Sequence, residues 1–298
     1  MIHADPVLRT VVAATDLSEP AMVACHRAAQ LAHAHGASLS LVHMVTLGLL
    51  DRLRLVAADD AEQVEGLLLA ALAADVQAVA DDLAARYQVK AQVTVERQPI
   101  VAGLLSHVAA TQADLVVVGP QGAGRVRHAV LGSTAERLVG RCPVPVLVAR
   151  QGGPAGYRQI LVPVDFSPAS RAAIEAARRL APQAQLILMH AFLVPFEGKM
   201  KLAGVDDDHI HRYELQARQD AHAHMQALMA ECGLDADRVA TVVAHGEPTR
   251  LILAHADELG VDLIAMGKGQ DTVLEELLVG SVTKHVLVEA ETDVLVTA

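Results

Sequence analysis

The sequence predicts an α/β chain of two similar domains, each a parallel sheet covered by helices on both faces. Three observations predict it. Short apolar runs rich in β-branched residues, such as Val11–Ala14 and Leu115–Val118, alternate with longer helical patterns. Landmarks then recur at nearly one offset. Asp16 and Asp165 each end an apolar run, 149 residues apart, and His43 and His190 sit in matching runs, 147 apart. Asp114 and Asp262 open matching runs, and Gly132-Ser133 matches Gly280-Ser281, both 148 apart. A period of this size is a domain rather than a solenoid repeat. Finally, 298 residues that are 52% hydrophobic and 20% charged suffice for two cores.

The domains are read as residues 1–150 and 158–298. Between them lies a linker, Gln151 to Tyr157, with three glycines and a proline. In the first domain strands are expected near 9–15, 38–45, 90–96, 114–118 and 144–149. Helical patterns fill 19–35, 57–87, 99–110 and 133–140. Ser18-Glu19-Pro20 is a sound helix start. Ala57 to Arg86 is rich in Ala and Leu with acidic residues spaced along it, as on a surface helix. The second domain repeats the order, with strands near 159–164, 185–191, 238–244, 262–266 and 293–297. Its helices are expected near 168–181, 209–232, 247–259 and 281–289.

Composition narrows the function. A net charge of −11 argues against a phosphate-backbone footprint, and 2% aromatics without Trp leave few base-stacking platforms, so no nucleic acid is expected. No apolar run reaches membrane-spanning length and no basic-then-apolar leader opens the chain. A soluble cytoplasmic protein, with no membrane association, is the expectation. Cys25, Cys142 and Cys232 are scattered, without a disulfide framework or CxxC site.

One stretch stands apart. Leu115–Val118 is followed by Gly119, two residues, Gly122, nine residues, then Gly132-Ser133-Thr134. Glycine admits φ > 0 and lets a ligand approach without meeting a Cβ. Ser133 is a good N-cap residue, and a helix N-terminus attracts anions. Together these make a cradle for a polyphosphate; the same glycines would equally serve a plain strand–loop–helix connection. The P-loop is excluded because no Lys follows Gly132. The dinucleotide fingerprint is excluded because it follows a first strand, whereas this loop comes after about a hundred residues of alternating elements.

The stretch resembles the universal stress protein family, whose ATP-binding members carry this glycine spacing between the fourth strand and fourth helix. Gly119, Gly122, Gly132 and Ser133 match it position for position. The resemblance extends over both halves through Asp16/Ser18, Asp165/Ser167 and the histidines ending strand two. It includes Gly246-Glu247-Pro248 before helix three, where the first half instead reads Arg97-Gln98-Pro99. It implies a tandem protein of adenine-nucleotide-α-hydrolase-like domains, each a five-stranded sheet of order 3-2-1-4-5. It also implies dimer-like pairing through the last strand, as a monomeric pseudo-dimer or a homodimer. In such relatives the strand-one Asp and the residue after the strand-two His hold the nucleoside, here Asp16 and Met44. Gly119, Gly122, Gly132, Ser133 and Thr134 would then hold the phosphates of ATP, with or without Mg. From the residues alone, Asp16 is read equally well as a helix-capping residue.

A weaker second site is expected at Asp165, Ala191, Gly267, Gly280 and Ser281. There Gln270 replaces the second glycine and Glu275 and Glu276 follow, whereas the first loop carries Arg125, Arg127 and His128. Each nearby carboxylate repels a polyphosphate by on the order of 1 kcal/mol. No catalytic residue is assigned, and His43 and His190 are read as satisfied core-edge residues. Asp206 to His211 could hold a metal, but i,i+2 spacing points helix side chains apart, so no metal site is assigned. The expected function is a nucleotide-dependent stress-response or signalling module with an unnamed protein partner. A slow ATP hydrolase and a nucleotide-free tandem scaffold remain the alternatives.

Overall fold

A computed structural model describes residues 8–46, 60–122, 131–151, 156–235, 238–269 and 279–297. The chain divides into two compact units, Met1–Gly156 and Tyr157–Ala298. The first contains β1 (Thr10–Ala14), α1 (Glu19–His35), β2 (Ser38–Val45), α2 (Ala61–Tyr87) and β3 (Ala91–Arg97). It continues with α3 (Ile100–Thr111), β4 (Leu115–Val118), α4 (Ser133–Arg141) and β5 (Val146–Val148). The second contains β6 (Gln159–Pro163), α5 (Pro168–Leu180), β7 (Gln185–Phe192), α6 (Glu197–Leu202) and α7 (Asp207–Glu231). It closes with β8 (Val239–His245), α8 (Pro248–Glu258), β9 (Leu263–Gly267), α9 (Ser281–Glu289) and β10 (Asp293–Thr297).

Every pairing within the first unit is parallel, in the order β3-β2-β1-β4-β5. The second repeats it as β8-β7-β6-β9-β10. Both are the 3-2-1-4-5 order. The central strands are apolar throughout because helices cover both faces. Val11, Val12, Ala13, Val116 and Val117 are fully buried, as are Ile160, Leu161 and Val162. Each such Leu or Ile contributes about 1.5–3 kcal/mol by leaving water.

Helix ends follow the chain's capping chemistry. Ser18 caps α1 by accepting from the Ala21 N–H, and Gly36 ends it in the left-handed conformation, φ 63°. The Asp206–His211 stretch is a helix start: Asp206 caps α7 by accepting from the Asp208 N–H. Among the described residues no group of three or more His, Cys, Asp or Glu side chains could hold a metal ion. Nor is any described helix long and apolar enough to cross a membrane. Cys25 and Cys142 are buried and in no disulfide, and burial pushes the Cys25 thiol up to about 11.

α6 was not expected. Six residues are too few to display helical periodicity. The repeat register also needs correction. Pro99 caps α3 where Glu247 caps α8, so Gly246-Glu247-Pro248 corresponds to Gln98-Pro99-Ile100, one residue later than the Pro-to-Pro match suggests. The sheet confirms it, since Arg97 pairs with Val45 as His245 pairs with Phe192.

The recurrent Asp114 and Asp262 prove to be structural. Asp114 Oδ2 accepts from the N–H groups of Arg9 and Thr10 at 2.8 and 3.0 Å. Asp262 Oδ2 accepts from those of Arg158 and Gln159 at 2.7 and 3.0 Å. Each carboxylate fastens the start of its unit's first strand to that of its fourth. Asp262→Ala leaves two backbone donors without their acceptor and should lower the unfolding free energy by about 1–3 kcal/mol. Asp262→Asn keeps an acceptor and should lose less. Urea unfolding of the alanine variant indistinguishable from the parent would contradict this role.

Candidate functional site

In an open parallel sheet, ligands bind beyond the carboxyl ends of the strands where the order reverses. In the first unit that point lies between β1 and β4. The chain leaving β1 turns sharply at Leu17, which is left-handed at φ 64°. Phe166 does the same after β6, at φ 65°. A non-glycine residue held there costs on the order of 1–3 kcal/mol. The turn survives because the preceding carboxylate clamps it. Asp16 Oδ1 accepts from both the N–H and the hydroxyl of Ser18, at 3.1 and 2.5 Å. Asp16 is therefore a helix-start residue through Oδ1. Its Oδ2 faces the β4 loop, 2.4 Å from where a Cβ on Gly122 would lie.

Asp165 is held in a similar way, with a second serine. Its Oδ1 accepts from the Ser167 N–H at 3.0 Å and the Ser170 hydroxyl at 2.6 Å. Burial raises its pKa, but the hydrogen bonds from Ser167 and Ser170 outweigh it and hold the carboxyl below the usual range. Its stabilising contribution is thus complete above the ordinary aspartate range and lost on acidification through the depressed value.

The β4 loop corrects two expectations. Neither Gly119 nor Gly122 has a positive φ. A Cβ on Gly119 would lie 2.7 Å from the Pro20 carbonyl oxygen and 3.1 Å from the Ala21 nitrogen, so the backbone of α1 by itself leaves no room for a side chain here. Gly267 repeats the contact, with a Cβ 2.5 Å from Ala169 Cβ and 2.9 Å from its carbonyl oxygen. Ser133 is not the N-cap of α4. Gly132 is, with its N–H bonded to the Pro120 carbonyl at 2.7 Å, as Gly280 bonds Lys268 before α9. Neither helix has a side-chain cap. Their first-turn N–H groups and the positive end of the helix dipole thus face outward for an anion.

These elements enclose a cavity of about 390 Å³. Asp16, Met44, Gly119, Gly122, Gly132, Ser133 and Thr134 all line it. Val42, Ile100 and Leu104 add an apolar wall, and Thr15 and Gln121 add polar groups. None of these five was singled out from sequence, although Ile100 and Leu104 stand one helical turn apart, the signature of one face. A second cavity of about 180 Å³ is lined by Asp165, Ala191, Gly267, Gly280 and Ser281, with His190, Ser170 and Thr283. There Val282 stands in place of Thr134, and the Thr283 hydroxyl is spent on the Gly267 carbonyl at 3.0 Å. Gly269 takes φ 70°, a turn only glycine adopts freely. Gln270, Glu275, Glu276, Arg125, Arg127 and His128 lie outside the described residues. The two histidines are tied to backbone: His43 Nδ1 donates to the Thr15 carbonyl at 2.9 Å and His190 Nδ1 to the Val164 carbonyl at 2.8 Å.

Two doubly wound units of order 3-2-1-4-5, each with a glycine-lined cavity at the switch point, define a tandem α/β class of fold. Residues 8–150 and 156–298 each match the Universal stress protein family, and the chain belongs to that family as a tandem two-domain member. It is 29% identical to universal stress protein YxiE of Bacillus subtilis over 135 residues, 44% of this chain and 91% of that protein. It is 27% identical to universal stress protein MJ0577 of Methanocaldococcus jannaschii over 153 residues, 47% and 94% of the two chains. The solved universal stress protein of Archaeoglobus fulgidus shares the fold over 97% of both chains, at TM-score 0.62 and 19% identity.

If α1 backbone is what forbids a side chain at residue 119, Gly119→Ala must push a rigid neighbour. It should cost about 1–3 kcal/mol and lower Tm without any ligand present. An unchanged Tm would remove the close approach from this account.

Proposed function

We propose that the chain is an ATP-binding universal stress protein whose first unit carries the nucleotide site, acting as a nucleotide-dependent stress-response or signalling module. The observation that carries this reading is one cavity holding apolar walls at one side and an uncapped helix N-terminus at the other. Adenine would lie among Met44, Val42, Ile100 and Leu104. Asp16 would accept from ribose hydroxyls, and the triphosphate would lie on the Gly132–Thr134 turn, where N–H groups and two hydroxyls favour negative charge. Asp16 is the sole carboxylate among the described lining residues, so magnesium would be held chiefly by the phosphates. The second cavity is smaller and lacks the Thr134 hydroxyl, and we read it as the weaker site.

Binding is favoured over turnover. A hydrolase needs a base within reach of the attacking water. His43 is fastened to the Thr15 carbonyl, and among the described residues no histidine lines the first cavity.

Calorimetry on the full chain tests the reading, with one ATP per chain expected. A β-branched side chain at residue 122 would collide with Asp16 and fill the loop where phosphate must approach. Gly122→Val should therefore weaken ATP by roughly ten- to a hundredfold. Ser133→Ala removes a hydroxyl but no cap, and should cost about 1 kcal/mol or less. ATP binding by Gly122→Val equal to that of the parent would refute the phosphate cradle. Two equal sites would refute the assignment to the first unit.

A further inference from the structure

The two units differ at one place that their backbones make directly comparable. In the first, Met44, next to last in β2, lines the cavity, while Gly103 of α3 stands against Met44. A Cβ on Gly103 would lie 2.7 Å from Met44 Sδ, 2.9 Å from Met44 Cε and 3.0 Å from Gln98 Cβ. Met44 thus lies back in the space that the missing side chain leaves. The helix caps and sheet register place Ala191, Leu251 and Gly246 at the corresponding positions of the second unit. The neighbours keep step, since Ile100 and Leu104 line one cavity as Pro248 and Ile252 line the other. All three sizes are reversed. The strand residue is small, the helix residue is large, and the third is glycine, with Leu251 Cδ1 3.2 Å from where its Cβ would be.

We infer that Gly103 is a positioning residue for the base end of the first cavity: by carrying no side chain it holds the Met44 thioether back from the space a purine would fill. This rests on the nucleotide reading above. The physical argument is one of direction. Both terminal atoms of Met44 must move if a methyl group is added at residue 103, and Gln98 Cβ stands on the same spot. Met44 already borders the cavity and is otherwise buried, at 8% exposure, so the cavity is the direction left open. The displaced group is the end of a flexible side chain, so the fold accommodates the change and the ligand does not. In its parent position the polarisable sulfur lies against the space for a flat aromatic base, a contact thioethers favour. The second unit has moved this bulk from strand to helix: Ala191 stands where Met44 does, and the methionines lining its cavity, Met189 and Met266, come from other positions.

The test uses the full chain. Gly103→Ala should weaken ATP by about tenfold, the scale of one surplus methylene in an apolar pocket. Its Tm should not fall, because alanine ordinarily favours a helix interior over glycine. Met44→Ala should weaken ATP several-fold by itself, and adding Gly103→Ala to it should cost no further affinity, since nothing remains to be displaced. Without nucleotide, the 13C-labelled methyl of Met44 should shift in Gly103→Ala and become more sensitive to a soluble gadolinium chelate. An unmoved methyl signal would overturn the inference whether or not ATP binds. So would an equal loss of affinity with and without Met44. Failure of the parent to bind ATP would instead overturn the proposed function, and the methyl measurement would still decide this one.

Discussion

The close crossing of two backbones governs each unit. β1 and β4 are neighbours in the sheet, so the chain leaving β4 must pass beside the start of the helix that follows β1. At Gly119 against Pro20, and at Gly267 against Ala169, the approach leaves no room for a Cβ. The left-handed turns at Leu17 and Phe166 bring the helix start to that place, and the carboxylates of Asp16 and Asp165 hold the turns. The cavity is what remains between the two chains once they have crossed. Its polar rim is assembled from groups that already serve the fold, and Asp16 serves both with its two oxygens.

The duplicated units keep this crossing and diverge around it. The first leaves Ser133 and Thr134 hydroxyls at the helix start and a methionine on the strand wall. The second keeps Ser281 but has Val282 and Ala191 in place of Thr134 and Met44, and adds Ser170, whose hydroxyl binds Asp165 where the first unit has Ala21. Conservation of the scaffold together with divergence of the wall separates what folds the unit from what would select an occupant.

Much of this was legible in the residues. Buried parallel strands declare themselves as continuous apolar runs, and the offset near 150 residues exposes the duplication without any structure. The strand order came through the family resemblance, since apolar runs do not say which strands are neighbours. The glycines were legible as sites of close approach but not what approaches them. Gly119 answers to Pro20, which is distant in sequence and identifiable only after folding. Ser133 looked like a cap because serine is a good one, but the Gly132–Pro120 hydrogen bond sets the helix start one residue earlier. Ile100, Leu104 and Gly103 were passed over because apolar residues and a glycine in a helix carry no chemical signature. Their part is to shape a wall.

The claim on which the rest turns is that the crossing in the first unit has been put to use as a nucleotide site. Native mass spectrometry of the intact chain, purified without added nucleotide and then titrated with ATP, tests it most directly. The account predicts a single adduct with the mass of an adenine nucleotide, retained on the chain and saturating at one per molecule before a second is detected. A chain that stays bare at saturating ATP would contradict it and leave a tandem scaffold whose glycines serve the backbone alone.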